Sequence, residues 1–167
     1  MHQMSNYRVM NNIRVWDIEY GGVSREDILL ELAKSKIALN AYATLLFLNK
    51  NLVMSDAKSR TNVISITPMD LGINEKSTFN DICNESSRRG LQLCPLEIAP
   101  ILRLAYLDQK EGPILTVASK GRFQEDNLPN GFYLHNTKDS LWLRGYTSSE
   151  DWLWDQTSKF AFVEPNA

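Results

Sequence analysis

Residues 131–146, with the sequence GFYLHNTKDSLWLRGY, have the alternating pattern of two β-strands joined by a short turn. Side chains alternate between the two faces of a strand, so Phe132 and Leu134 share one face of the first strand. Leu141 and Leu143 share one face of the second strand in the same way. Because directly opposed residues of an antiparallel pair project to the same side, this stretch predicts a β-hairpin with one apolar face.

The apolar face also predicts the register of the hairpin, because a one-residue slip would oppose apolar to polar residues in every pair. The predicted pairs are Leu134 with Leu143, Phe132 with Gly145, His135 with Trp142 and Tyr133 with Arg144, and the predicted turn is 137–140. The second face then combines aromatic, titratable and cationic groups. In one interpretation it packs under another layer, with Arg144 stacked on Tyr133. In the other it lines a groove where a planar or anionic ligand stacks on Trp142 and pairs with Arg144.

The part of the chain before the hairpin contains three predicted helices. Ser24 and Asn40 are good N-caps, since their side-chain oxygens accept hydrogen bonds from first-turn amides, and residues 24–49 therefore predict a helical hairpin. A third helix begins after Ser77 or Thr78. It ends before Gly90, because a glycine is expected just past a helix C-terminus.

The remaining apolar runs predict strands, which lie at 13–20, 63–67, 102–108, 114–118 and 159–163. Helices come first and strands dominate later, which indicates an α+β fold. We expect the helical hairpin and the third helix to pack on a mainly antiparallel sheet built largely from the C-terminal half. A chain of 167 residues predicts a single domain, residues 1–167, with residues 1–10 as a flexible terminus.

Composition excludes several classes of function. The net charge is −2 and there is no Lys/Arg run, so we expect no nucleic-acid partner. Cys83 and Cys94 are the only cysteines and no histidine is near them, so we expect no metal site. They are either two small buried thiols, which we favour, or one disulfide. We expect no other cofactor. There is no signal peptide and no apolar run of membrane-spanning length, which predicts a cytoplasmic protein without membrane contact.

Trp152 and Trp154 lie two residues apart in an aromatic segment at 147–157. In an extended segment both side chains point the same way. They are then either a hydrophobic lid on the core or a platform for a sugar or peptide.

The sequence contains few candidates for catalytic residues. No nucleophile elbow, phosphate-binding glycine loop or zinc-protease motif occurs. A small hydrolase or transferase would have to use Glu97, Arg103, Asp108 and His135, and it would need all four to converge on one cavity.

The segments that carry a family resemblance are 93–97, Pro100, 102–104, 106–109, 131–134 and 141–146. They resemble a family of uncharacterised bacterial proteins of similar length, over most of the chain from about residue 24. Some members carry a helicase label, but this chain has no Walker lysine loop. The resemblance implies a bacterial single-domain protein and no particular mechanism.

The sequence therefore favours a non-catalytic binding domain over an enzyme. Its predicted binding residues are Tyr133, His135, Trp142, Arg144, Trp152 and Trp154. A walled cleft would indicate a small ligand, whereas a flat exposed patch would indicate a protein partner. The pattern predicts neither the partner nor the oligomeric state.

Overall fold

The computed structural model of the protein describes residues 7–10, 13–50, 52–119 and 129–165. Within these ranges the chain forms eight β-strands, four α-helices and a short 3-10 helix, and the predicted α+β class is confirmed. The elements are β1 (Tyr7–Met10), β2 (Ile13–Tyr20), α1 (Arg25–Lys34), β3 (Ala38–Leu39), α2 (Ala41–Leu48), β4 (Ser59–Ile66), the 3-10 helix (Met69–Leu71), α3 (Phe79–Arg88), α4 (Ile98–Ala105), β5 (Leu115–Val117), β6 (Gly131–Asn136), β7 (Leu141–Tyr146) and β8 (Lys159–Glu164).

The described strands form one mixed sheet in the order β1-β2-β4-β8-β5-β6-β7-β3. Neighbours are antiparallel except β8 with β5 and β7 with β3, which are parallel. The expectation of a mainly antiparallel sheet is therefore replaced by a mixed one. The sheet is also not built largely from the C-terminal half, since β1 to β4 all precede residue 67. Sequence patterning missed β1, β3 and the start of β4, which are short or polar.

The β6–β7 hairpin has the predicted register. Leu134 lies opposite Leu143 and His135 opposite Trp142, and the other two predicted pairs are also present. In the turn, the Thr137 amide donates to the Ser140 carbonyl over 3.0 Å. Lys138 adopts a φ of +78°, and its amide donates to Oδ1 of Asn136 over 2.9 Å. Pairing of apolar side chains thus predicts the register correctly even without an Asn-Gly turn.

Helices cover both faces of the sheet. Buried residues of α1, α2 and α4 pack with Trp16 and Leu143 on one face. Buried residues of α3 pack with Val15 and Phe160 on the other. The helices are therefore divided between the two faces of the sheet. The predicted helical hairpin is not confirmed either, because β3 separates α1 from α2, α1 contacts α4, and α2 contacts β7.

The predicted helix starts are confirmed by their caps. The side chains of Ser24 and Asn40 accept from the amides three residues ahead, at 3.1 and 2.8 Å. Thr78 and Asp81 form a reciprocal capping box at the start of α3. Gly90 follows that helix with a φ of +82°, a conformation that glycine adopts without a Cβ clash.

Helix α4 occupies part of a predicted strand, so the expectation of a strand at 102–108 is wrong. Pro100 lies in the first turn, where a missing amide costs no helical hydrogen bond. In a strand at 102–108, Arg103 would point away from Leu102 and Leu104 towards solvent, but this side chain is fully buried. Because Arg103 is buried together with Leu102, the segment has the burial pattern of a helix that contacts the rest of the protein on more than one side.

Two further expectations concern the terminus and the cysteines. Residues 7–10, expected in a flexible terminus, pair with β2 as β1, while residues 1–6 lie outside the described residues. Cys94 is buried in the core under α4, and this burial raises the pKa of its thiol. Cys83 belongs to α3, is half-buried, and packs against the core on that face of the sheet. No helix in the described part of the chain is both long and apolar enough to cross a bilayer.

Candidate functional site

The second face of the β6–β7 hairpin lies on the side of the sheet opposite α1, α2 and α4. Its four predicted residues, Tyr133, His135, Trp142 and Arg144, are all half-buried. The guanidinium carbon of Arg144 lies 4.0 Å from the ring centroid of Trp142, so the predicted stacking of Arg144 on Tyr133 is corrected to stacking on Trp142. The Trp142 indole is held in place, because its Nε1 donates to Oγ1 of Thr137 over 3.0 Å.

An aromatic row continues from this face towards the segment at 147–157. Tyr133 lies 6.3 Å from Tyr146 between ring centroids, and Tyr146 meets Trp154 edge-on at 6.1 Å. Trp154 in turn meets Phe160 of β8 at 5.1 Å. Edge-to-face pairs at these distances are favourable for aromatic rings, so the row fixes the ring planes relative to the sheet.

A cleft of about 270 Å³ opens beside this row, and we call it the aromatic cleft. Its lining residues are Ile114, Thr116, Tyr133, Tyr146, Thr147, Ser148, Trp152 and Trp154. Three of the six predicted binding residues, Tyr133, Trp152 and Trp154, thus line one cleft. The other three, His135, Trp142 and Arg144, share the sheet face with Tyr133 but do not line the cleft. Tyr146 was missed, although alternation from Arg144 places it on the same face.

The outer wall of the aromatic cleft is carried by the segment after β7. Two backbone hydrogen bonds join Trp154 to Ser77, at 2.7 and 3.1 Å, just before α3 begins. The Asp155 carboxylate then accepts from the amide and the hydroxyl of Thr157, and these bonds lower the pKa of that carboxyl. Trp152 is 56% exposed, so it forms an open wall and is not a core side chain.

Trp154 has an indole donor without a partner. Its Nε1 is buried, and no acceptor among the described residues binds it. Leaving a buried donor unpaired is costly, and such groups commonly bind a ligand or water. The wall of the cleft therefore includes a residue with an unused hydrogen-bond donor.

Two residues of the alternative catalytic set are buried on the α4 side of the sheet. The carboxylate of Glu97 accepts from the amide of Ser55 over 3.0 Å and from its hydroxyl. These bonds join the start of α4 to the segment before β4. A carboxylate that is 3% exposed and bonded in this way holds two segments together.

Arg103 makes a second buried junction. Its Nη1 donates to Oε1 of Gln109 over 2.6 Å and to the Trp142 carbonyl over 3.2 Å, and its Nη2 donates to the Tyr106 carbonyl. Burial lowers the pKa of the guanidinium to about 10, and the charge of the Tyr106 side chain opposes this effect. Arg103 is therefore a cation at neutral pH that donates to carbonyl and amide oxygens.

The four candidate catalytic residues do not meet at the aromatic cleft. Asp108 is exposed in the turn after α4, and His135 lies across the sheet from Glu97 and Arg103. Within the described ranges, no three His, Cys, Asp or Glu residues come close enough to hold a metal ion. The convergence that a hydrolase or transferase would need from these residues is thus missing at this site.

Comparison with known proteins found no matching family model, no matching curated protein and no matching solved structure. The resemblance to uncharacterised bacterial proteins therefore stays a prediction.

Proposed function

We propose that the protein is a binding domain whose aromatic cleft holds a planar aromatic or apolar group of a small ligand. The supporting observation is that Tyr133, Tyr146, Trp152 and Trp154, from three separate segments, surround one cleft. Aromatic rings offer large contact areas with few rotatable bonds, so they bind flat groups at a low entropic cost.

The polar groups around the cleft favour a ligand that also carries an acceptor. Thr147 and Ser148 add hydroxyls to the lining, and a hydroxyl can donate to such an acceptor. A mostly apolar lining with a few polar groups is typical of small-molecule sites.

The shape of the cleft favours a small ligand over a flat protein surface. Tyr133 and Tyr146 come from the sheet, whereas Trp152 and Trp154 come from a segment outside it, so the cleft has walls of different origin. Its volume of about 270 Å³ suits a compact ring system more than a large drug-sized molecule.

The experiment is a thermal-shift screen with uncharged planar aromatic fragments against wild type, Trp152→Ala and Leu153→Ala. Leu153 is 52% exposed and does not line the cleft, so Leu153→Ala is a matched control for loss of an exposed apolar side chain. A fragment at about ten times its Kd stabilises its target by about 1.4 kcal/mol, which raises Tm by about 3–6 °C.

We expect fragments that stabilise wild type and the Leu153 variant but lose most of their effect on the Trp152 variant. The hypothesis fails if every stabilising fragment acts equally on all three proteins, or if no fragment stabilises wild type. Trp142→Ala then extends the test, because a fragment that stays bound there does not reach the Trp142–Arg144 stack.

A further inference from the structure

A second, smaller cleft lies on the opposite face of the sheet, beside the segment that follows α4. It has a volume of about 100 Å³. Its polar and charged lining residues are Arg14, Ser65, Tyr106, Gln109, Lys110 and Lys159, and we call it the cationic cleft. Three cations from distant parts of the chain meet here, and no carboxylate of the described residues lines the cleft.

Strand pairing explains why these side chains meet. Arg14 lies directly opposite Ser65, and Lys159 is the register partner of Leu115 in the next strand pair. Ser65 is also opposite Ala161, which shares a strand face with Lys159. The central strands β2, β4, β8 and β5 therefore project these groups to one side of the sheet, under the segment at 106–114.

Arg14 is held in position at the floor of the cleft. Its Nη1 donates to the Tyr106 hydroxyl over 3.0 Å, and its guanidinium carbon lies 5.3 Å from the centroid of the Tyr106 ring. Tyr106 is itself 7% exposed and packs against Trp16 at 4.9 Å. The planar fork of a guanidinium suits the paired oxygens of an oxyanion, and the Tyr106 contacts fix where this fork lies.

The two lysines of the cleft are not engaged in ion pairs within the described ranges. Neither Lys110 nor Lys159 has a carboxylate partner among the described residues. Behind the cleft, Arg103 bonds Gln109, a lining residue that is 5% exposed. The Tyr106 carbonyl, at the C-terminal end of α4, accepts from Arg103, so the negative end of that helix is compensated. The lining of the cleft thus carries three cations in a chain whose net charge is −2.

We propose that the cationic cleft binds the phosphate group of a small phosphorylated ligand. The arrangement combines a fixed guanidinium, two ammonium groups and the Ser65 hydroxyl, which are the donors that phosphate oxygens accept from. The volume admits a group of a few heavy atoms, several times the space that one water needs, so the rest of the ligand extends into solvent.

The test is calorimetric titration at low ionic strength with two probes, inorganic phosphate and glycerol 3-phosphate. The site variant is Lys110→Gln/Lys159→Gln, which alters two exposed residues and leaves the core intact. The matched control is Lys50→Gln/Lys138→Gln, which removes the same charge from exposed positions outside the cleft. Arg14→Gln is a third variant that tests the fixed guanidinium.

We expect saturable binding to wild type and to the control, with a Kd that rises at least about tenfold in the site variant and in Arg14→Gln. Tighter binding of glycerol 3-phosphate supports a phosphorylated ligand. Tighter binding of inorganic phosphate overturns the assignment of a phosphorylated ligand and indicates a site for free anions instead. Equal Kd values in the site variant and the control, or no saturable binding to wild type, overturn the proposal as a whole. Trp152→Ala should leave the phosphate Kd unchanged, so this result is independent of the aromatic cleft.

Discussion

The two clefts lie on opposite faces of the same sheet and meet at the first residues of β5. Leu115 lines the cationic cleft, Thr116 lines the aromatic cleft, and Ile114 lines both. Consecutive strand residues thus face two environments of contrasting chemistry. One short central strand therefore separates the cationic cleft from the aromatic cleft, so the lining of each can change without direct contact with the other.

The clefts differ in how their outer walls are attached. The wall at 106–114 is tied to the core by buried side chains, with Arg103 bonded to Gln109 and Gln109 Nε2 bonded to the Leu134 carbonyl at 3.0 Å. The wall at 147–157 is tied by backbone bonds to Ser77 and by its own turn. The first wall is therefore held chiefly by two buried side chains, with one backbone bond from Gly112 to Asn136 beside them. The second leaves Trp152, more than half exposed, with room to reorient around a ligand.

The largest expected effect is on the first of these walls. Arg103→Met removes the donor of three buried hydrogen bonds, and unpaired buried acceptors cost about 1–3 kcal/mol each before relaxation. We expect the free energy of unfolding in urea to fall by about 3 kcal/mol. Phosphate binding should weaken as well, while fragments still bind the aromatic cleft.

Arg103→Lys is the matched control, because it keeps the charge but cannot present a planar fork to three acceptors. Its free energy of unfolding should lie between those of wild type and the Met variant. A Met variant as stable as wild type would mean that the wall at 106–114 does not depend on this residue.

A smaller effect is expected at the sheet wall of the aromatic cleft. A Cβ at Gly145 would lie 2.7 Å from the carbonyl carbon of Tyr42 and 2.8 Å from the nitrogen of Ala43. Gly145→Ala must therefore push β7 and α2 apart, at a cost of about 2 kcal/mol in thermal or urea unfolding. We expect weaker fragment binding with an unchanged Kd for phosphate.

Gly131, in the paired strand, provides the control for this substitution. Its nearest neighbour for an added Cβ is Cε1 of Tyr146 at 3.5 Å, an ordinary contact. Gly131→Ala should change the free energy of unfolding by less than about 0.5 kcal/mol. Similar losses in both glycine variants would show that α2 does not pack closely against β7.

The smallest effect is a pH dependence at the second wall. Hydrogen bonds from Thr157 hold the pKa of the Asp155 carboxyl below its usual value. A lowered folded-state pKa contributes stability above the unfolded-state pKa of about 4, and that contribution is lost as the pH falls through the folded-state pKa.

Asp155→Asn should therefore lower Tm slightly at pH 7, and the difference from wild type should shrink as the pH is lowered below about 4. Asp151→Asn, at an exposed position in the same segment, controls for the change in net charge. A Tm difference that stays constant from pH 7 to pH 3 would contradict the role of the ionised Asp155 carboxylate.

The hairpin and α3 could be predicted from the sequence because their determinants are local. The register follows from which residues of one short stretch are apolar, and α3 follows from Thr78, Asp81 and Gly90. Helix α4 could not be predicted in the same way, since its pattern includes a buried arginine that donates to the Trp142 carbonyl of β7 and to the Tyr106 carbonyl at the end of α4. Alternation treated Arg103 as outward-facing, which is the usual position of an arginine.

The residues of the two clefts also differ in whether the sequence alone could assign them to a site. Tyr133, Trp152 and Trp154 were predicted from alternation and spacing, and Tyr146 could have been predicted by one further step along β7. Arg14 and Lys159 could not be assigned to a common site, because β2, β4, β8 and β5 are neighbours in the sheet but not in the chain. Only the strand order brings these two cations together.

The position of β8 has a consequence for biosynthesis. This strand joins β1, β2 and β4 on one side to β5, β6, β7 and β3 on the other, yet it comes last among the described strands in the chain. During translation the two halves of the sheet can each form early, but they cannot be bridged until residues 159–164 have left the ribosome. Until then the facing edges of β4 and β5 have open backbone groups, which makes the nascent chain vulnerable to intermolecular pairing.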